Sequence, residues 1–168
     1  MGLSMFLYAE KYFVFRDLES GFWKEECKEK FTKENENVNK LMEIMDVGNL
    51  VDNPRGADMY VKVEVGYWRK ANAIHKYFVD KCADGKDDCE EVYVYQENFE
   101  ELMSICNQLL ESKDTELAMK LLPTASGFFF GGVEYDEWYF KDLEHTRDIL
   151  EKVLADKHDF AYIYRASW

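Results

Sequence analysis

Alternation of apolar and polar residues predicts strands near both ends of the chain and in its middle. Residues 3–15 (LSMFLYAEKYFVF) are rich in aromatic residues and alternate in the manner of a half-buried strand. The most regular alternation is at residues 59–65 (MYVKVEV), where Met and Val alternate with Tyr, Lys and Glu. Shorter extended segments are predicted at residues 92–95 and in the closing DFAYIYRASW.

Apolar residues at helical spacing predict four to five helices, over residues 21–45, 66–80, 98–112, 115–122 and 136–155. The first segment contains NENVN, so either one helix or two helices with a break near Asn35 are compatible with it. A loop is expected at Asn53–Gly56, and SGFFFGG at residues 126–132 is expected to be extended and closed by its two glycines.

Strands at both ends with helices between them predict an α+β fold with a small, mainly antiparallel sheet. The 168 residues include only two prolines and nine scattered glycines, and no linker divides the chain. We therefore expect a single domain spanning residues 1–168.

Composition excludes several classes of protein. Hydrophobic residues make up 47% of the chain and aromatic residues 16%, so the net charge of -13 does not indicate disorder. The acidic pI of about 4.7 disfavours direct binding to nucleic acid. The sequence predicts neither a membrane span nor a signal peptide, which favours the cytoplasm. Its four cysteines match no zinc-binding spacing and are expected to be reduced thiols, and no metal or cofactor is predicted.

Charge is distributed unevenly along this acidic chain. Residues 66–81 (GYWRKANAIHKYFVDK) carry four basic residues against one acidic residue, whereas residues 84–116 carry nine more acids than bases. The first of these segments is a local basic island, and a local field matters more to a ligand than the average charge.

If the basic island is one helix, four apolar residues share a stripe that faces the core, namely Tyr67, Ala71, Ile74 and Phe78. Another face carries donors for a phosphate or carboxylate, namely Arg69, Asn72 and Lys76, with Trp68 and His75 at its flank. The alternative is that the lysines only neutralise the acidic residues 84–91.

His75 is the strongest candidate for proton transfer, with Asp80, Asp87 or Asp88 as its partner or as a metal ligand. The alternative is a structural histidine packed beside Trp68. The acidic residues 84–91 suit a divalent cation, but they lack the EF-hand pattern and are expected to form a solvated turn. No zinc, serine-hydrolase or Walker A motif is present.

A second concentration of chemistry lies at residues 123–140 (PTASGFFFGGVEYDEWYF). Ser126 and Gly127 permit close approach of the backbone to a ligand, and Tyr135 and Trp138 offer rings for stacking on a planar group. The alternative is a core strand followed by a helix with acidic residues in its first turn. The binding hypothesis places this segment opposite the basic island across a pocket.

Four motifs resemble a family of small uncharacterised accessory proteins of bacteriophages and prophages. They are GLSMFLYAEKY, YWRKANAIHKYFVD with the following DGKDDCEEVYV, LLPTASGFFFGGVEYDEWYFKDLEHT, and the terminal aromatic-Arg-Ala-Ser-Trp. Residues 19–55 have no counterpart and are expected to be an acidic helical insertion. The resemblance implies a phage protein in the host cytoplasm that binds and blocks a host component, including a defence system.

The leading hypothesis is therefore a non-enzymatic binding protein that blocks a host protein or sequesters an anionic, nucleotide-like ligand. One alternative is a metal-assisted hydrolase or phosphoryl-transfer enzyme that uses His75. Another is an acidic mimic of nucleic acid or a component of the virion.

Overall fold

A computed structural model describes residues 2–50 and 58–168. The chain forms two compact units, of which the first comprises Met1–Ala9 with Val63–Trp168 and the second comprises Glu10–Lys62. The single-domain prediction stays a prediction. The loop expected at Asn53–Gly56 lies outside the described residues.

The described residues contain one antiparallel sheet and five α-helices, which confirms the α+β class. The strands are β1 (Ser4–Val14), β2 (Asp58–Arg69), β3 (Val92–Val94) and β4 (Ala161–Ser167), in the order β2-β1-β4-β3. The helices are α1 (Glu25–Met45), α2 (Asn72–Cys82), α3 (Gln96–Ser112), α4 (Thr115–Leu121) and α5 (Glu137–Ala155). Short 3-10 helices lie at Leu18–Ser20 and Gly48–Leu50. No helix in these ranges is both long and apolar enough to cross a bilayer.

The core of the first unit forms between one face of the sheet and helices α2, α3 and α5. Alternation along β1 buries Met5 and Leu7 completely, and Leu3, just before the strand, is buried as well. In β4, Tyr164 stacks on Phe78 of α2 with ring centroids 4.3 Å apart. The predicted strands at both ends of the chain, and the short strand at β3, are confirmed.

The helix predicted over residues 66–80 begins later than the sequence suggested. Residues 66–69 (GYWR) continue strand β2, and α2 starts at Asn72. Because side chains alternate along a strand, Trp68 is buried, whereas Tyr67 is 39% exposed instead of facing the core. Gly66 fits because a β-carbon there would lie only 3.0 Å from Ile149 Cγ2. Tyr67 was therefore wrongly included in the predicted stripe, whereas its other members, Ala71, Ile74 and Phe78, are buried as predicted.

Helix α1 in the second unit is continuous, so of the two alternatives for this segment the structure has the single helix and not the break near Asn35. The Asn35 side chain accepts a hydrogen bond from Arg16 N and donates one to Arg16 O, both at 2.8 Å. Arg16 also forms an ion pair with Glu34 at 2.6 Å. The polar NENVN segment thus anchors the chain that follows β1 rather than interrupting the helix.

Residues 126–132 form a turn and not the expected extended segment. Phe130 N donates to Gly127 O at 3.1 Å, and Gly131 has a φ of +92°, a value that favours glycine. Phe128 is 94% exposed, so this run of three phenylalanines is not a core strand.

Candidate functional site

A cleft of about 340 Å³ lies in the first unit where β2 passes into α2 and where α5 begins. We call it the α2 cleft. Its wall combines the β2–α2 junction, the loop of residues 123–135 and the first turns of α5. The two segments that the sequence singled out, the basic island and residues 123–140, therefore meet here.

The basic side of the α2 cleft is formed by Arg69 and Lys70, both of which are exposed. Arg69 donates to Ser4 Oγ at 2.9 Å. Lys70 has a φ of +61°, a left-handed conformation that costs a residue with a β-carbon about 1–2 kcal/mol. Strained backbone of this kind is concentrated at functional sites, so the conformation of Lys70 supports a functional role for the cleft.

The first turn of α2 also lines the cleft, through Ala71, Asn72, Ala73 and Ile74. Within the described residues, no side chain caps this turn, because the N-cap residue is Ala71. Uncapped N–H groups at the positive end of a helix favour an anion. This end of the cleft therefore has the chemistry of an anion site.

Asn72 is buried and holds the loop of residues 123–135 against α2. Its Nδ2 donates to Gly132 O at 2.6 Å and to Phe130 O at 3.2 Å, and its Oδ1 accepts from Ala125 N at 3.0 Å. These three hydrogen bonds are three of the four that the amide can form. The side chain predicted to bind a ligand instead builds one wall of the cleft.

Helix α5 and the residue before it contribute aromatic and acidic side chains to the α2 cleft. Trp138 is 71% exposed, and Lys141 Nζ lies 4.5 Å from the centre of its ring. Asp136 is engaged as the cap of α5, where its Oδ1 accepts from Trp138 N at 2.9 Å and Tyr139 N at 3.2 Å. This confirms that an acidic residue suits the start of the helix.

Asp142 lies one turn beyond Trp138 and also lines the cleft. Burial raises the pKa of its carboxyl to about 6, with His145 lowering the pKa and Asp136 raising it further. The carboxyl is therefore an acceptor for a ligand's donor groups near neutral pH, and it gains a proton more readily than an ordinary aspartate.

His75 and Trp68 lie in the core and not in the α2 cleft, each with only 1% of its surface exposed. His75 Nδ1 is 2.7 Å from the Tyr164 hydroxyl. His75 Nε2 is 3.1 Å from Asp87 Oδ2, but it is poorly aligned and forms no hydrogen bond. The Trp68 indole donates to Thr146 Oγ1 at 2.9 Å. These contacts favour the structural interpretation of His75.

The remaining predicted residues lie outside the α2 cleft. Lys76 forms an ion pair with Asp80 at 2.8 Å. Ser126 and Gly127 belong to the exposed turn, where a β-carbon on Gly127 would lie 2.7 Å from the Phe130 ring. The Tyr135 hydroxyl accepts from Thr124 N at 3.1 Å and so braces the loop.

The structure thus brings three predicted residues to one cleft, namely Arg69, Asn72 and Trp138, and adds Lys70 and Asp142. Helical spacing could have predicted that Asp142 lies near Trp138, because residues four apart lie on the same face of a helix. In residues 2–50 and 58–168, no group of three or more His, Cys, Asp or Glu side chains is placed to hold a metal ion. The four cysteines are free thiols.

Comparison with known proteins gives no further assignment. No family model, curated protein or solved structure matches the chain.

Proposed function

We propose that the protein is a non-enzymatic binding protein whose α2 cleft holds a small anionic, nucleotide-like ligand. The observation that carries the proposal is the meeting of two exposed cations, Arg69 and Lys70, with the uncapped first turn of α2. An exposed tryptophan, Trp138, also lines the cleft.

The charges of the cleft restrict the ligand. Arg69 and Lys70 are outnumbered by three lining acids, Glu134, Asp136 and Asp142. A simple anion is attracted by the two cations and repelled by the three acids. A ligand with an anionic group at one end and hydrogen-bond donors at the other satisfies both.

A nucleotide with an amino-bearing base has this distribution of groups. Its phosphate accepts from Arg69, which binds such groups bidentately, and from the free N–H groups of α2. Its base stacks on Trp138, which is 71% exposed. Its amino group donates to Asp142.

Sequestration of such a ligand fits the phage resemblance, because removing a small anionic signal blocks a host defence response without enzymatic activity. The alternative of a hydrolase based on His75 requires a substrate to reach a side chain that is 1% exposed. The binding hypothesis does not impose this requirement, and we favour it for that reason.

Calorimetric titration of the four nucleoside 5′-monophosphates tests the proposal, with released phosphate measured in the same samples. We expect binding without turnover, strongest for the amino-bearing bases. Arg69→Ala should weaken binding by about 10- to 100-fold, the usual worth of a hydrogen bond to a charged group.

Lys76→Ala is the matched control, because Lys76 is a cation of the same segment that lies outside the cleft and is paired with Asp80. Its affinity should stay within about twofold of the wild type. Equal affinity in the wild type and Arg69→Ala would contradict the proposal, and turnover lost in His75→Ala would favour the enzyme.

A further inference from the structure

A second cleft of about 430 Å³ lies elsewhere in the first unit and shares no lining residue with the α2 cleft. It is bounded by β3 and β4, by the start of α3 and by the end of α5 with the residues that follow it. We call it the aromatic cleft, because five of its lining residues carry phenyl or phenol rings: Tyr93, Tyr95, Phe99, Phe160 and Tyr162.

These rings differ in how they are held. Phe99 is buried and meets Tyr162 edge to face, with centroids 5.2 Å apart and planes at 85°. Tyr93 and Tyr95 are exposed. Large exposed rings beside a cleft provide contact surface that the core does not require.

The fixed charge of the aromatic cleft is negative. Asp156 and Asp159 line it, and among its lining residues there is neither lysine nor arginine. Asp156 accepts from His158 N at 3.2 Å and from His158 Nδ1 at 2.5 Å. These contacts, chiefly the side-chain bond, lower the pKa of Asp156, so its carboxylate stays ionised at neutral pH.

The two helix ends at this cleft have opposite electrostatic effects on a cation. The carbonyl end of α5 favours a cation, whereas the amide end of α3 disfavours one and is offset by Glu97 in its first turn. The two carboxylates therefore decide the sign of the local potential.

We infer that the aromatic cleft binds an alkylammonium cation. Electron-rich ring faces attract such a cation, and weakly hydrated methylated ammonium groups lose little hydration on entering a partly apolar cleft. The two carboxylates also attract the positive charge. They make the cleft prefer a cation over a neutral group of the same shape, which the rings alone would not do. This site does not depend on the function proposed for the α2 cleft.

The cation has two sources, a free small molecule or a methylated lysine side chain of a protein, and the probes separate them. Choline chloride represents the first, and a short peptide with one trimethyllysine represents the second, with the unmethylated peptide as its reference. The neutral isostere of choline, 3,3-dimethyl-1-butanol, has nearly the same shape and no charge, so it measures apolar contact alone.

Ligand-observed NMR with the full chain gives the affinities. We expect at least one cationic probe to bind about tenfold or more tightly than its reference, the neutral isostere for choline and the unmethylated peptide for the methylated one. Tyr95→Ala and Asp159→Asn should each weaken that probe about fivefold or more. Tyr60→Ala, which removes an exposed tyrosine of the second unit, should leave the affinity for that probe unchanged.

Choline binding alone identifies a free small cation, and binding of the methylated peptide alone identifies a protein side chain. Equal binding of each probe and its reference, or no binding of either probe at about 10 mM, overturns the inference. The inference is also overturned if Tyr95→Ala and Asp159→Asn, shown by circular dichroism to be folded, bind as well as the wild type.

Discussion

Replacing Asn72 with alanine removes the three hydrogen bonds that tie α2 to the loop of residues 123–135. A typical intramolecular hydrogen bond contributes about 0.5–1.5 kcal/mol net, so three bonds give about 2–4 kcal/mol. The loop groups are only part-buried and reach water after the change, which keeps the loss within this range. The free energy of unfolding should fall by this amount.

Urea denaturation followed by far-UV circular dichroism measures the loss. With a slope of about 2 kcal/mol per molar urea, the midpoint should fall by about 1–2 M at unchanged slope. Asn98→Ala is the control, because the Asn98 side chain accepts a single hydrogen bond, from Tyr95 N at 3.1 Å. Its cost should be about 1 kcal/mol.

Asn72→Ala should also bind nucleotides more weakly, because Gly131 and Gly132 line the α2 cleft and are positioned by Asn72. If Asn72→Ala unfolds at the same urea concentration as Asn98→Ala, Asn72 does not hold the loop of residues 123–135 in the way described.

Three further changes test the α2 cleft. Asp142→Asn should unfold at a higher temperature than the wild type by an amount that grows between pH 4 and pH 6, because a pKa raised to about 6 stabilises the fold only while the carboxyl is protonated. We expect about 1–2 kcal/mol at pH 7 after allowance for solvent screening, and a difference independent of pH in thermal melts would contradict this. Gly131→Ala should cost more in urea melts than Gly85→Ala, since both have positive φ but only Gly131 would place its β-carbon 3.1 Å from Lys70 Cβ, and equal costs would refute the packing argument. Lys70→Gly should stabilise the fold by about 0.5–1 kcal/mol and weaken nucleotide binding in calorimetry, and a loss of stability would show that its left-handed backbone is not strained.

Most elements could be predicted because their signals are local. Period-two alternation located β1 and β4, and helical spacing located α3 and α5 to within about two residues. The β2–α2 boundary was missed because residues 66–69 fit the helical stripe of α2 as well as the alternation of β2. The strand brings Gly66 so close to Ile149 that a β-carbon would have little room, and this contact is not local.

The site could be predicted only in part, for the same reason. The basic island and residues 123–140 both contribute to the α2 cleft, but of the ligand-binding residues predicted in the basic island only Arg69 and Asn72 line it. The burial of His75 depends on Tyr164, which lies 89 residues further along the chain. The role of Asn72 depends on backbone groups of a loop more than 50 residues away. Residue type alone cannot show whether a polar side chain is used internally or left for a ligand.

Amide chemical-shift mapping of the labelled protein with adenosine 5′-monophosphate tests whether the α2 cleft binds a nucleotide. We expect shifts that saturate together for the backbone amides of Ala73 and Ile74 and for the indole N–H of Trp138. Saturable shifts confined to residues outside the α2 cleft, or none at all with any of the four nucleotides, would contradict it.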